Sequence, residues 1–338
     1  MCINMNSLKF KRVFITGGAG YVGSLLVPSL LSKGYEVIVY DLFLYGDTLP
    51  DNPRLKKIKG DIRDRDKLIK SAHGADAFIH LACISNDPSF DLAPDLGKSI
   101  NFGAFPNVLD AARLGGVKRF ILASSTSQYG IKPAHVKVTE ETEAEPITDY
   151  ARYKIECEKI MKTRADLVGN MEYVFVRPST LCGYAPRLRL DVSVNTLTIN
   201  ALEKHKMRIK GGNQLRPTMN IKDMVRFYEL MLEAPSELID EQAFNVSYTN
   251  ASILQFAQMV RDVLEDQTVE FEMIPSDDPR SYHVDATKIK KVLGFEFKYN
   301  VKDAINSIVE AYEEGKIKDG LNNPLYYNVK LMKETSLK

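Results

Sequence analysis

Tyr150 and Lys154 stand four residues apart, so at helical spacing they share a face and the ammonium can lie close to the phenol. The run from Arg119 to Ser124 reads as a strand whose end carries Ser124-Ser125. Ser125 then faces that helix and can hydrogen-bond the same oxygen of a bound alcohol. A cation beside the phenol lowers its pKa from about 10 toward a working pH, which makes Tyr150 a usable general base. A second constellation lies near the start of the chain, where Thr16-Gly17-Gly18-Ala19-Gly20-Tyr21-Val22-Gly23 sets glycines at 17, 20 and 23 between a strand and a helix. Gly17 makes the tight turn, Gly20 lets backbone N–H groups approach a pyrophosphate, and Gly23 lets helix and strand pack closely. Asp41 ends the next strand, where a carboxylate can accept hydrogen bonds from ribose hydroxyls. The ligand this pattern suits is a dinucleotide. Asp41 repels a 2′-phosphate, and Leu42-Phe43-Leu44-Tyr45 supplies no arginine to offset it, so NAD is favoured over NADP. Joined, the two constellations describe one step: Tyr150 removes a hydroxyl proton while hydride passes from the same carbon to NAD. A Tyr and Lys one turn apart are usually a surface pair, and a lone glycine triplet is weak evidence. The strand-turn-helix setting of one and the serine strand before the other tip the balance.

The elements that must position these residues alternate. Lys11 to Thr16 is a short strand, Tyr21 to Ser32 an apolar helix closed by Gly34, and Glu36 to Asp41 a second strand, which together make a βαβ unit. The pattern repeats with Lys56 to Gly60, a helix over Arg65 to Ala72, a strand over Ala77 to Leu81, a long helix over Leu92 to Leu114 and the strand ending at Ser124. The fold class expected is α/β, a doubly wound parallel sheet of the Rossmann type. After Pro146 come a charged helix over Asp149 to Ala165 and an apolar strand over Tyr173 to Arg177, with regular alternation lost from Leu181 onward. The division expected is a dinucleotide-binding domain over 1–180, to which 220–250 returns, and a smaller substrate-binding lobe over 181–219 and 251–330. Beyond Asn323 the tail is polar and expected to attach loosely.

Bulk composition narrows the partners. In 338 residues, 45 Lys and Arg balance 44 Asp and Glu for a net charge of +1, which is not the footprint of a nucleic-acid binder. Cys2, Cys83, Cys157 and Cys182 are far apart, and His73, His80, His135, His205 and His283 show no metal-ligand spacing. Reduced thiols, no metal and no staple are expected. Met1 to Arg12 is polar and basic, Val13 to Ile15 is too short for a signal-peptide core, and no window is long and apolar enough for a membrane span. The expectation is a soluble cytoplasmic protein.

The residues TGGAGYVG at 16–23, GDIRD at 60–64, HLA at 80–82, ASSTSQYG at 123–130 and Tyr150-Ala-Arg-Tyr-Lys154 together resemble the extended short-chain dehydrogenase/reductases that act on nucleotide sugars. The resemblance covers nearly the whole chain. It implies catalysis by Ser125, Tyr150 and Lys154, and a cofactor set of Gly17, Gly20, Tyr21, Val22, Asp41, Asp61, Ile62, Leu81, Ala82, Ser124, Tyr150, Lys154 and Pro178. Asp61 and Ile62 should meet the adenine, and Asn101 should be the structural asparagine of the long helix. Dehydratases of the family carry an Asp-Glu pair where this chain has Thr126 and Ser127, which argues against elimination of water. What remains is a 4-epimerase, a 4-dehydrogenase or a 4-keto-sugar reductase, the last disfavoured by Asp41. The setting implied is surface polysaccharide or unusual-sugar biosynthesis. A non-catalytic NAD-binding protein on the same fold is the competing reading, and it usually lacks the Tyr or Lys that this chain keeps.

For the sugar side, Arg216 matches an arginine that grips the substrate diphosphate, as a planar guanidinium can do bidentately. The stretch Pro186 to Asn195 resembles a subgroup acting on unusual sugars, which nominates Arg187, Arg189 and Asn195. Ser85, Asn86 and Thr126 are candidate linings of the sugar pocket, and Arg280 a shifted second phosphate contact. The helices over 92–114 and 149–165 correspond to those that pair across a two-fold axis in the family, so a homodimer is expected.

Overall fold

In the computed structural model, residues 8–85, 87–133, 136–276 and 281–335 are described. The parallel strands, apart from the half-exposed edge strand Leu55–Lys59, are rich in Val, Ile and Phe and buried on both faces, as strands covered by helices must be. Seven of them form one parallel sheet in the spatial order Ala243–Val246, Glu172–Pro178, Arg119–Ala123, Ala77–His80, Arg12–Thr16, Glu36–Asp41 and Leu55–Lys59. The chain order reverses between Arg12–Thr16 and Ala77–His80, and the crevice beyond the carboxyl ends of these two strands is where such sheets bind ligands. The α/β sheet expected from the alternation is present.

Side chains alternate across it. Val13, Ile15, Val37 and Val39 face the helices Gly23–Ser32 and Ile221–Glu233, and Phe14, Ile38, Phe78 and Phe120 face Arg65–Ala72, Phe105–Gly115 and Asp149–Thr163. The strand at Ala243–Val246 closes one edge of the sheet, beside Glu172–Pro178. Thr180–Cys182, Leu215–Asn220 and Thr249–Ser252 form a separate three-stranded sheet, and Lys206–Lys210 pairs with Glu270–Ile274. These elements share their own core around Val194, Met207, Phe256 and Ile305.

Two expectations are corrected. The long helix over 92–114 is instead a turn at Pro94–Lys98, a π-helical turn at Ser99–Gly103 and a helix at Phe105–Gly115. Pro94 starts the first piece and Pro106 the last, as a residue without an N–H suits a first turn. Within the wide turn the Asn101 side chain accepts from Ile84 N (2.8 Å) and donates to Ile84 O (2.9 Å), pinning the loop after Ala77–His80. The polar tail is not loose either. Asn328–Glu334 is helical, and Asn328 is 3% exposed with hydrogen bonds to Arg187 and Asp191 of one loop and Ser85 of another.

Candidate active site

The helix Asp149–Thr163 begins at Thr148, whose hydroxyl accepts from Ala151 N. Positions 150, 154 and 158 fall on one face of it. Tyr150 is buried at the cleft beside Ser125, and Lys154 Nζ lies 5.7 Å from the centre of the Tyr150 ring and donates to Ala123 O (2.6 Å). Glu158, a turn further in, forms a buried ion pair with Arg177 (2.6 Å) and accepts from Ser124 Oγ (2.5 Å), which fixes the helix against the sheet. Ser125 caps the short turn Thr126–Tyr129, and its Oγ lies 2.9 Å from Ser127 Oγ. The predicted Ser125, Tyr150 and Lys154 are therefore in one place.

The expected lowering of the Tyr150 pKa is not what the protein's own groups produce. Burial pushes the phenol well above its ordinary value, with Cys83 and Asp87 adding to the rise, while Arg189 and the nearby Ser125 hydroxyl only moderate it. Lys154 turns its ammonium to a carbonyl rather than to the phenol oxygen.

The glycine turn lies across the same cleft, a cavity of about 540 Å³. Gly17 has a positive φ of 73°, and a Cβ there would meet Ala82 N at 2.5 Å, so no side chain fits. A Cβ on Gly20 would meet only Gly17 O, at 3.1 Å, and would otherwise project into the space over the first helix that a pyrophosphate needs. Asp41 accepts from Ala19 N (2.9 Å) and Phe43 N (2.7 Å), and burial raises its carboxyl. These residues fit NAD. Tyr21, Val22, Asp61, Ile62, Leu81, Ala82, Ser124 and Pro178 also line this cleft. Two of them have structural duties as well: Asp61 accepts from Arg63 (2.6 Å) and Ser124 holds Glu158.

The sugar-side candidates divide. Thr126, Ser85, Arg187, Arg189 and Arg216 line the cleft. Asn195 does not. It is fully buried, accepts from Gly183 N (2.9 Å) and donates to Tyr21 Oη (3.0 Å) and Arg189 O (2.7 Å), so it shapes the loop that carries the arginines. Ser85 takes hydrogen bonds from Asn328 (2.8 Å) and Arg189 (3.4 Å), and Thr126 donates to Pro178 O (3.2 Å). Asn86 and Arg280 lie outside the described residues. Sequence reasoning missed Tyr45, Asp191, Tyr282, Asn328 and Met332, all of which line the cleft. Only Asp191 carried a signal, as an acid two residues from Arg189. Among the described residues no cluster of His, Cys, Asp and Glu could hold a metal ion, and no helix is long and apolar enough to cross a membrane.

A dinucleotide turn, a Ser, Tyr and Lys constellation and a basic far wall in one crevice define an NAD-dependent enzyme of the short-chain dehydrogenase/reductase type. The chain belongs to the NAD dependent epimerase/dehydratase family, whose model matches residues 13–247. It is 28% identical over 319 residues to a UDP-glucose 4-epimerase of Lactobacillus helveticus, covering 87% of this chain and 94% of that one. It is 29% identical over 316 residues to UDP-glucuronic acid decarboxylase 1 of Arabidopsis thaliana, covering 89% and 69%. Among solved structures it shares its fold with the UDP-glucose 4-epimerase of Thermotoga maritima solved with UDP-glucose (TM-score 0.81, 24% identity, 90% of this chain and 99% of that one). It shares it also with a dTDP-glucose 4,6-dehydratase of Streptomyces venezuelae with NAD bound (TM-score 0.81, 22% identity, 93% and 99%).

Proposed function

We propose that the protein is a nucleotide-sugar 4-epimerase. The observation that carries this reading is the convergence of Tyr150, Lys154 and Ser125 with the glycine turn and Arg216 on one cleft. NAD, when bound, supplies a reversible acceptor for the hydrogen and its electron pair on the sugar carbon. Tyr150 Oη takes the proton of the carbon 4 hydroxyl, leaving a carbonyl there, and returns it after the ring has presented its other face. Ser125 hydrogen-bonds the same sugar oxygen, and the Lys154 ammonium, 5.7 Å from the centre of the Tyr150 ring, offsets the charge of the phenolate that forms. Arg216, on the strand Leu215–Asn220, is suited to hold the nucleotide's diphosphate. Elimination of water is disfavoured because neither Thr126 nor Ser127 can act as the further acid and base that it needs. The relatives named UDP-glucose 4-epimerase support the reading of reaction and of a UDP-sugar.

The Tyr150→Phe variant tests it. Turnover of a UDP-sugar should fall by about two to four orders of magnitude, the usual worth of a positioned acid–base group, with NADH affinity and thermal midpoint retained. Full activity in that variant would overturn the mechanism.

A further inference from the structure

Arg187 and Arg189 reach the cleft from the second half of the chain, Arg187 on the side of the glycine turn. The loop that carries them is docked onto the glycine turn by three hydrogen bonds: Tyr21 Oη to Gly183 O (2.5 Å), Asn195 Nδ2 to Tyr21 Oη (3.0 Å) and Arg187 N to Ser24 Oγ (3.2 Å). The Arg187 guanidinium stacks over Tyr45, 3.6 Å from its ring centre, four residues past Asp41. Arg187 is only 4% exposed, yet its Nε has no hydrogen-bond partner among the described residues, and neither has Arg189 Nη2. Both side chains line the cleft.

Hydrogen bonding is incomplete there. Asp191 accepts from Arg189 Nε (2.9 Å) and from Asn328 N (3.0 Å), and Asp41 lies within electrostatic reach of Arg187, but among the described residues no carboxylate hydrogen-bonds Arg187. Burial, with the like charge of Arg189 adding to it, pulls Arg187 down to about 10. A buried, incompletely matched cation pair is costly unless an anion completes it. A diphosphate has the charge and the paired oxygens to do so. The glycine turn offers backbone N–H groups and a helix N-terminus to the other side of the same anion.

We propose that Arg187 and Arg189 grip the diphosphate of the dinucleotide rather than that of the sugar, reaching the glycine turn from the second half of the chain, and that Asn328 latches them there. Asn328 is the centre of the latch. It accepts from Arg187 Nη2 (2.5 Å), donates to Ser85 Oγ (2.8 Å) and gives its backbone N–H to Asp191, tying the loop after Ala77–His80 to the arginine loop. Met332, one turn further along the same helix, also lines the cleft. The tail thus fastens the cofactor side of the cleft, which suits an enzyme that keeps its cofactor through the catalytic cycle and so rests on the epimerase reading.

Equilibrium titrations of the cofactor-stripped protein with NADH, and of the NAD-loaded protein with UDP, separate the two diphosphates. Arg187→Met should raise the NADH dissociation constant about ten- to a hundredfold, the worth of one charge-assisted contact, and leave that of UDP within about threefold. Arg187→Lys should recover part of the loss by restoring the charge without the fork. Asn328→Ala should speed NADH release about three- to tenfold in stopped-flow displacement, and it keeps the proposal testable if the arginine variant does not fold. Unchanged NADH affinity, or a loss falling on UDP instead, overturns the clamp. Unchanged release from Asn328→Ala overturns the latch. A protein that binds NADH but no UDP at all counts against the epimerase reading and leaves the NADH comparison decisive.

Discussion

Beneath the Tyr150 helix, Glu158 and Arg177 form an ion pair whose polar atoms are matched within the protein: Ser124 Oγ and Arg177 Nε reach one carboxylate oxygen, Arg177 Nη2 the other, and Arg177 Nη1 donates to Tyr129 Oη (3.0 Å) and Glu140 O (3.1 Å). Across the cleft, Asp191 accepts from Arg189 but not from Arg187, and two nitrogens of these arginines have no hydrogen-bond partner among the described residues. Both clusters are buried, but one is closed and the other open on the side that faces the cleft. A closed pair positions: it holds the helix that carries the reacting phenol and leaves no valence for a ligand. An open pair recognises, because the missing hydrogen bonds are supplied only when an anion arrives.

Breaking the closed pair should have the largest effect on stability. Glu158→Ala leaves Arg177 buried and unmatched, at a cost of about 3–5 kcal/mol and a drop in thermal midpoint on the order of 10 °C, measured by calorimetry. If the midpoint holds, the pair is not closed in the sense argued. The open cluster should respond in the opposite way. Arg187→Met removes one of two like charges, so the midpoint without cofactor should stay within about 1 °C or rise, while the rise normally produced by saturating NADH shrinks. A large loss of stability without cofactor would make Arg187 a structural residue like Arg177.

Acidity provides the smallest and finest test. Burial alone would raise Asp191, but the charge and hydrogen bond of Arg189 hold its carboxyl below the ordinary value, with the Asn328 N–H helping. A depressed carboxylate contributes stability that is present above the unfolded value of about 3.9 and is lost as pH falls through its folded value. The stability that this carboxylate adds, read as the difference in thermal midpoint between the unaltered protein and Asp191→Asn, should therefore stay constant between pH 5 and 8 and shrink only below about pH 4. A difference that already shrinks between pH 5 and 7 would mean that Asp191 is not paired as described.

How much of this was legible in the sequence follows from distance along the chain. The glycine turn, Asp41 and the Tyr150 and Lys154 pair are local patterns, each set by one turn or one strand end, and the structure brings them to one crevice. The strand alternation was readable because Val, Ile and Phe runs bounded by glycines leave few other choices. The long helix failed where Pro94 and Pro106 each began a new piece and Asn101 spent its side chain on Ile84. The latch was not readable at all: Arg187 and Asn328 are 141 residues apart, and a polar tail gives no periodic sign of what it will bind. Arg187 was visible as a cation. That it would stand beside Tyr45 and the glycine turn depends on Tyr21 and Asn195 docking its loop, contacts that join distant segments.

The most direct test of the whole account is the fate of the hydrogen on carbon 4. Incubating the NAD-loaded protein with UDP-sugars deuterated at that carbon should yield the carbon 4 epimer with the label still at carbon 4 and no net accumulation of NADH. Accumulating NADH that carries the deuterium, with an oxidised sugar and no epimer, would contradict it.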